Sequence, residues 1–269
     1  MITAKGSVIV TGAARGIGLA VVDRLLDSGY RVLALDIFET EELPYMSSTR
    51  DQLLKRQEHF GQKQIKICKC DVREYDELRD IVESFLKVKA GTSGGTELCA
   101  VIACAGVVDG TQRSWHLDRD VERLIVETNL FGVMNLARSC LDHLISSNSP
   151  VKRFVAVSSI AGAKALPRLG AYVASKHGVN GYVKSLALEL KNSGITANVV
   201  APGSTKGEIL NHSARIYDLD SADSFASQHL TNRLIEPTEV ADAIMFLLSE
   251  RANSITGSVL NIDAGLSLA

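Results

Sequence analysis

The stretch SVIVTGAARGIG (7–18) runs a short apolar segment into a turn carrying glycines at positions 12, 16 and 18, and helix-period residues follow at once. This is a strand-turn-helix junction. Gly12 allows the tight turn, Gly16 and Gly18 let backbone and helix approach closely, and the helix start leaves N–H groups free for a diphosphate. The spacing departs from G-x-G-x-x-G, so the position at the first strand-to-helix junction carries the reading. Gly12, Ala14, Arg15, Gly16, Ile17 and Gly18 are therefore candidate cofactor-binding residues.

Working outward, short apolar runs alternate with longer helix-period segments along the whole chain, which predicts an α/β protein with one doubly wound parallel sheet flanked by helices. Seven strands are expected, at 7–11, 31–36, 64–71, 98–104, 153–159, 195–202 and 258–263. Most are apolar at nearly every position, as strands covered on both faces must be. Helices are expected at 16–28, 49–60, 74–89, 118–146, 171–192 and 237–249, the last opening on Pro237. Residues 38–48, GTSGG (91–95) and the polar stretch 204–233 read as loops. The third follows a strand's carboxyl end and is too long for an ordinary connection, so it is expected to be a substrate lid.

A chain of 269 residues with 46% hydrophobic content fits a single domain, residues 1–269. The net charge of -2, with signs interspersed, excludes the basic stripe that nucleic acid demands. No apolar window approaches a membrane span, and the early run VIV (8–10) is too short for a signal peptide. Cys68, Cys70, Cys99, Cys104 and Cys140 are odd in number and lie mostly in apolar runs, as reduced cytoplasmic thiols do. Neither Cys68-x-Cys70 nor the six histidines make a ligand pattern, so no metal is expected.

Asp36 ends the second strand, where a carboxylate can accept hydrogen bonds from a ribose diol and repel a 2'-phosphate, which favours NAD over NADP. Further along, AYVASK (171–176) places Tyr172 and Lys176 one helical turn apart, thirteen residues beyond Ser159. Bringing a phenol from a pKa near ~10 to neutrality takes roughly 4 kcal/mol. A cation about 4 Å away at an effective dielectric of about 20 contributes on the order of that amount. The trio can therefore serve acid/base chemistry on an alcohol, with Asn129 in a helical segment as a further candidate.

The ordered set TGAARGIG, Asp71-Val72, ACAG (103–106), Asn129, Ser159, YVASK (172–176) and APGST (201–205) resembles the short-chain dehydrogenase/reductase family from end to end. The resemblance implies a Rossmann-type sheet and roles position by position. Tyr172 would be the acid/base, Lys176 would lower its pKa and bind the nicotinamide ribose, Ser159 would hold the substrate oxygen, and Asn129 would hold a relay water. Asp71 and Val72 would contact the adenine, while Cys104, Ala105 and Gly106 would border the cofactor. Pro202, Gly203 and Thr205 would touch the carboxamide. Two positions depart from the family pattern: Cys104 stands where Asn is common, and Lys206-Gly207 stands where a Thr is common.

LPYMSSTRDQL (43–53), His177-Gly178-Val179 and residues 214–240 are similar to the NAD-dependent subgroup coupled to the peptide cofactor mycofactocin, which implies a nicotinamide held without exchange by a segment near 38–56. Dihydrodiol dehydrogenases of the 2,3-dihydro-2,3-dihydroxybenzoate type and 3-oxoacyl reductases are alternatives, and an NAD-binding regulatory protein is the non-enzyme one. Trp115, Ile209, Leu210, Tyr217 and Phe225 are candidates for an apolar pocket receiving an alcohol or ketone. The family usually assembles as tetramers, which makes VNGYVKSLALEL (179–190) a candidate face of a homotetramer or homodimer.

Overall fold

Alternation within each strand divides the core. Val8 and Val10 of β1 (Ser7–Thr11) pack into one apolar layer while Ile9 packs into the opposite one, and Val32/Ala34 against Leu33/Leu35 repeat the division in β2 (Arg31–Asp36). The computed structural model describes residues 5–40, 45, 48–87 and 97–268. Its single sheet has the order β3-β2-β1-β4-β5-β6-β7, with every neighbouring pair parallel. The remaining strands are β3 (Ile65–Lys69), β4 (Leu98–Ala103), β5 (Lys152–Val157), β6 (Ile195–Pro202) and β7 (Val259–Ile262).

Helices cover both faces because parallel neighbours need crossovers, and a right-handed crossover lays its helix on a sheet face. On one face α1 (Gly16–Asp27) and α8 (Pro237–Leu247) bury Val21, Leu25, Val240 and Ile244. On the other, α3 (Tyr75–Lys87), α5 (Gly132–Ile145) and α6 (Gly170–Glu189) bury Phe85, Leu136 and Val183. The α8 start carries a capping box between Glu236 and Glu239 with Pro237 behind it. Its far end is held by Arg153 of β5, only 2% exposed, which donates to the carbonyls of Leu247 (3.0 Å) and Ser249 (3.1 Å). A buried cation thus caps a helix and ties it to the sheet.

The strands and most helices lie where the sequence places them, and two segments differ. Residues 118–146 are not one helix: α4 (Arg119–Val126) and α5 are separated by a π turn over Glu127–Phe131. The widened turn lets Asn129 bury fully, and its Oδ1 accepts from Val107 N at 2.7 Å. The expected loop over 204–233 contains α7 (Glu208–Ile216) and a 3-10 segment, Ala222–Gln228, which share a small cluster of Leu210, Ala214, Phe225 and Leu234. Leu210, Ala214 and Tyr217 have helical spacing, but over a single short helix flanked by polar residues. A further helix, α2 (Asp51–Phe60), follows β2, whereas GTSGG and residues 41–44 and 46–47 lie outside the described residues.

Two glycines of the first turn play different parts. A Cβ on Gly18 would sit 1.9 Å from the Gly12 carbonyl oxygen, whereas one on Gly16 would meet nothing within 4 Å, although Gly16 has φ +51. Gly16→Ala should therefore cost only the left-handed strain of about 1 to 2 kcal/mol. Gly18→Ala, which forces backbone apart, should exceed the roughly 1 to 3 kcal/mol of ordinary overpacking. Chemical denaturation of the two variants checks the order, and equal losses would refute the close contact.

Candidate active site at the carboxyl edge of the sheet

All seven strands point their carboxyl ends at one edge, and the strand order reverses between β1 and β4, which opens a crevice there. A cavity of about 750 Å³ occupies it. One end is built by the glycine turn: Gly12, Arg15, Gly16, Ile17 and Gly18 line the cavity, and the α1 start has no side-chain cap. Uncapped N–H donors at a helix start with glycines in front fit a diphosphate. Ala14 does not line the cavity. Its N–H donates instead to Asp36 Oδ2 at 2.9 Å.

Asp36 stands beside that turn, its other oxygen accepting from Ser48 Oγ at 2.6 Å. Each oxygen keeps a second lone pair, so this fixed carboxylate can still accept from a diol. Asp71 and Val72 border the same end. Asp71 is held by Arg73 at 2.6 Å, and Val72 packs so closely on Gly132 that a Cβ there would lie 2.6 Å away. Cys104, Ala105 and Gly106 follow β4 along the cavity floor. The thiol of Cys104 is pushed up to about 12 by burial and stays neutral. In place of an amide at that position, Thr11 Oγ1 accepts from Cys104 N (3.1 Å) and Ala105 N (3.3 Å).

Ser159, Tyr172 and Lys176 meet on the cavity wall. Ser159 follows β5, accepts from Ala161 N at 3.1 Å and shares the cavity wall with the Tyr172 phenol. Lys176 is 4% exposed, its Nζ donating to the Val157 carbonyl at 3.0 Å and lying 5.7 Å from the Tyr172 ring centroid. The electrostatics differ from the simple pairing expected from the i, i+4 spacing. Tyr172 keeps some surface toward the cavity, yet the crowding of protein atoms pushes its phenol up to about 12, with Ser159 pulling the other way. Burial brings the Lys176 ammonium down to about 8. Within the chain desolvation outweighs attraction, because each group loses water and the ammonium spends a donor on Val157.

Asn129 does not reach the cavity. Its Nδ2 donates to Val107 O (2.9 Å) and Ser175 Oγ (3.0 Å), which commits both amide protons, and its Oδ1 is taken by Val107 N. The side chain locks the π turn to the segment after β4, and its Oδ1 keeps a second lone pair. Pro202, Gly203 and Thr205 line the wall after β6. Of the apolar candidates, Ile209, Leu210, Tyr217 and Phe225 line the cavity, whereas Trp115 is 73% exposed and stands away from it.

Residues 12–267 match the family model described as Enoyl-(Acyl carrier protein) reductase. The chain is 30% identical to the (-)-trans-carveol dehydrogenase of Rhodococcus erythropolis, over 97% of this chain and 96% of that one. The crystal structure of a carveol dehydrogenase from Mycobacterium avium in complex with NAD superposes with a TM-score of 0.88 at 27% identity, covering 99% of both chains. ElxO with NADP bound superposes with a TM-score of 0.80 at 27% identity, covering 98% of this chain and 99% of that one. The chain belongs to the short-chain dehydrogenase/reductase family. It is an oxidoreductase of the nicotinamide-dependent kind.

Two residues at this short-chain dehydrogenase/reductase site carry no sequence signal. His229 is 2% exposed, and its Nε2 accepts from Ser204 N at 3.2 Å, which buttresses the turn after β6. Burial lowers its pKa, keeping that nitrogen an acceptor. Tyr45 is 6% exposed, its hydroxyl accepting from Val108 N at 3.4 Å. Its ring lies under Arg15 at 5.2 Å and 5.0 Å from His212 of α7. Among the described residues no helix is long and apolar enough to cross a membrane, and no group of three or more His, Cys, Asp or Glu is placed to hold a metal.

Lys176 yields a pH prediction. Its pKa falls from an ordinary 10.5 to about 8 on folding, so the unfolded chain binds that proton more tightly and the penalty is carried in full below pH 8. Stability must then rise with pH from about 8 toward 10.5, by on the order of 3 kcal/mol from this group. Denaturation of wild type and Lys176→Met at pH 8 and 10 should show the wild type gaining on the variant. A difference independent of pH would sink the assignment.

Proposed function

We propose that this protein transfers a hydride between NAD(H) and a secondary alcohol or its ketone, with Tyr172 exchanging the hydroxyl proton. The observation that carries the reading is the meeting of Ser159, Tyr172 and the buried Lys176 ammonium on the wall of one cavity whose other end is the uncapped glycine turn. A nicotinamide cofactor bound there supplies the hydride acceptor or donor. Ser159 Oγ holds the substrate oxygen, and Tyr172 Oη takes its proton or returns it. Lys176 binds the nicotinamide ribose, and its charge favours the phenolate as negative charge develops.

Asp36, fixed by Ser48 and Ala14, supports NAD over NADP by repelling a 2'-phosphate. Asp71 and Val72 border the adenine, Cys104 to Gly106 form the floor, and the Pro202–Thr205 turn, braced by His229, meets the carboxamide. Residues 204–233 act as the substrate lid, with α7 as its moving part. Five free cysteines support a reducing compartment, the cytoplasm. Leu188, 80% exposed on α6, and Phe131, 49% exposed, support assembly of copies as a homotetramer, which sedimentation velocity reads directly.

The contact of Tyr45 with His212 supports the mycofactocin-coupled form of this activity, because it ties the segment after β2, whose Tyr45 also meets Arg15 of the glycine turn, to α7. NAD should then stay with the purified protein through dialysis, and turnover should require an artificial electron acceptor. Tyr45→Ala should release NAD at least tenfold faster. Steady turnover of wild type on free NAD would exclude this form while leaving hydride transfer untouched.

Tyr172→Phe tests the chemistry itself. With NAD(H) binding unchanged by fluorescence, kcat for secondary-alcohol oxidation should fall by at least about 10² to 10⁴, the worth of a positioned proton exchanger. Retained kcat would remove Tyr172 from the mechanism.

A further inference from the structure

The wall of the cavity beyond Tyr172 is apolar and its charges are already spent. Tyr172 shares one cluster with Val108, Leu166, Leu169 and Tyr217. Tyr217 meets Phe225 edge-on at 6.0 Å, and Phe225 packs with Leu210 in the small cluster beneath α7. The hydroxyls on this wall face inward to backbone: Tyr217 donates to Pro167 O and Ser213 to Ile209 O, each at 2.8 Å.

The two cations on the α7 side of this wall have anionic partners within the chain. Lys206 is paired with Glu236, and Arg168 donates to Asp218 at 2.8 Å and to the Ile216 carbonyl. Behind the wall His212 meets Asp109 at 2.9 Å. Glu208, which lines the cavity at the start of α7, has Asn211 for a partner and adds negative charge to the mouth. Lys176 is buried, with Nζ on Val157 O, and in the proposed function it serves the cofactor ribose. Among the described residues of this wall, a substrate carboxylate would therefore be desolvated against leucine and aromatic carbon while Lys206 and Arg168 are already paired.

Resting on the hydride-transfer reading, we infer that the substrate is an uncharged, apolar secondary alcohol or its ketone, and that alcohols carrying a carboxylate are selected against. Carboxylated cyclic alcohols and dihydrodiols, which need a cation at the far end of the pocket, fall outside this class. Val108, Leu166, Leu169, Leu210, Tyr217 and Phe225 are the specificity-determining wall.

The test compares two probes that share a 4-substituted cyclohexanol ring, 4-methylcyclohexanol and 4-hydroxycyclohexanecarboxylate, with free NAD and with an artificial electron acceptor in parallel. NAD(H) binding to the full chain is measured first. The expected result is a kcat/KM at least 100-fold higher for the methyl compound. Ile209→Lys, on a cavity-lining residue 38% exposed, should place a cation on the wall and narrow that ratio at least tenfold. With NAD(H) bound, a carboxylate used within tenfold of the methyl compound, or a methyl compound not used at all, overturns the substrate class. Absence of NAD(H) binding would instead overturn the reading on which it rests.

Discussion

A single ammonium group, that of Lys176, buried to 4% and held by one carbonyl, sets the terms for the site. Burying a cation is costly, and the cost appears as a pKa brought down to about 8. Tyr172 beside it moves the other way, up to about 12, so both groups are driven toward their neutral forms. A pocket that disfavours charge on its own acid and base responds strongly to charge placed in it. Interactions there act at an effective dielectric nearer 20 than 80, so an alkoxide forming at Ser159 is felt by both groups. The same burial that weakens Lys176 as a cation strengthens whatever field it retains.

Several polar groups around this centre are satisfied inside the chain. Asp36 is held by Ser48 and Ala14, Asn129 by Val107 and Ser175, and the backbone of Cys104 and Ala105 by Thr11. These locks tie the segments after β1, β2 and β4 to one another and to the π turn and α6. The wall beyond Tyr172 is held differently, by the four buried residues of the α7 cluster and a few ion pairs. Elements with few buried contacts open at low free-energy cost. The catalytic end is thus the rigid part of the cavity and the substrate end the yielding part.

How far the sequence reads depends on where the information sits. Apolar alternation is local, so all seven strands and the helices flanking them are legible. The glycine turn and the Tyr172–Lys176 spacing are local too, and they locate both ends of the site. His229 and Tyr45 are not, since nothing near either residue says that Ser204 N or the His212 ring will lie against it. The π turn is hidden for a related reason: 3.6-residue periodicity continues on both sides of Glu127–Phe131, and one added residue leaves it nearly unchanged. The direction of the Tyr172 shift escapes because spacing supplies a distance and says nothing of burial.

Charge divides the cavity lengthwise, and the division is what orients a dinucleotide within it. At the end formed by the α1 start, Arg15 stacks over Tyr45 and Arg73 pairs with Asp71, around helix N–H groups that no side chain caps. At the other end Lys206 and Arg168 are neutralised and carbon dominates. A diphosphate placed at the second end would lose its hydration to leucine and tyrosine rings; at the first it finds oriented donors. For the proposed cofactor, desolvation therefore disfavours reversed binding. In the proposed reaction the apolar end is left to the ring and the substrate, beside Ser159 and Tyr172, where the hydride would leave the carbinol carbon and the proton its oxygen.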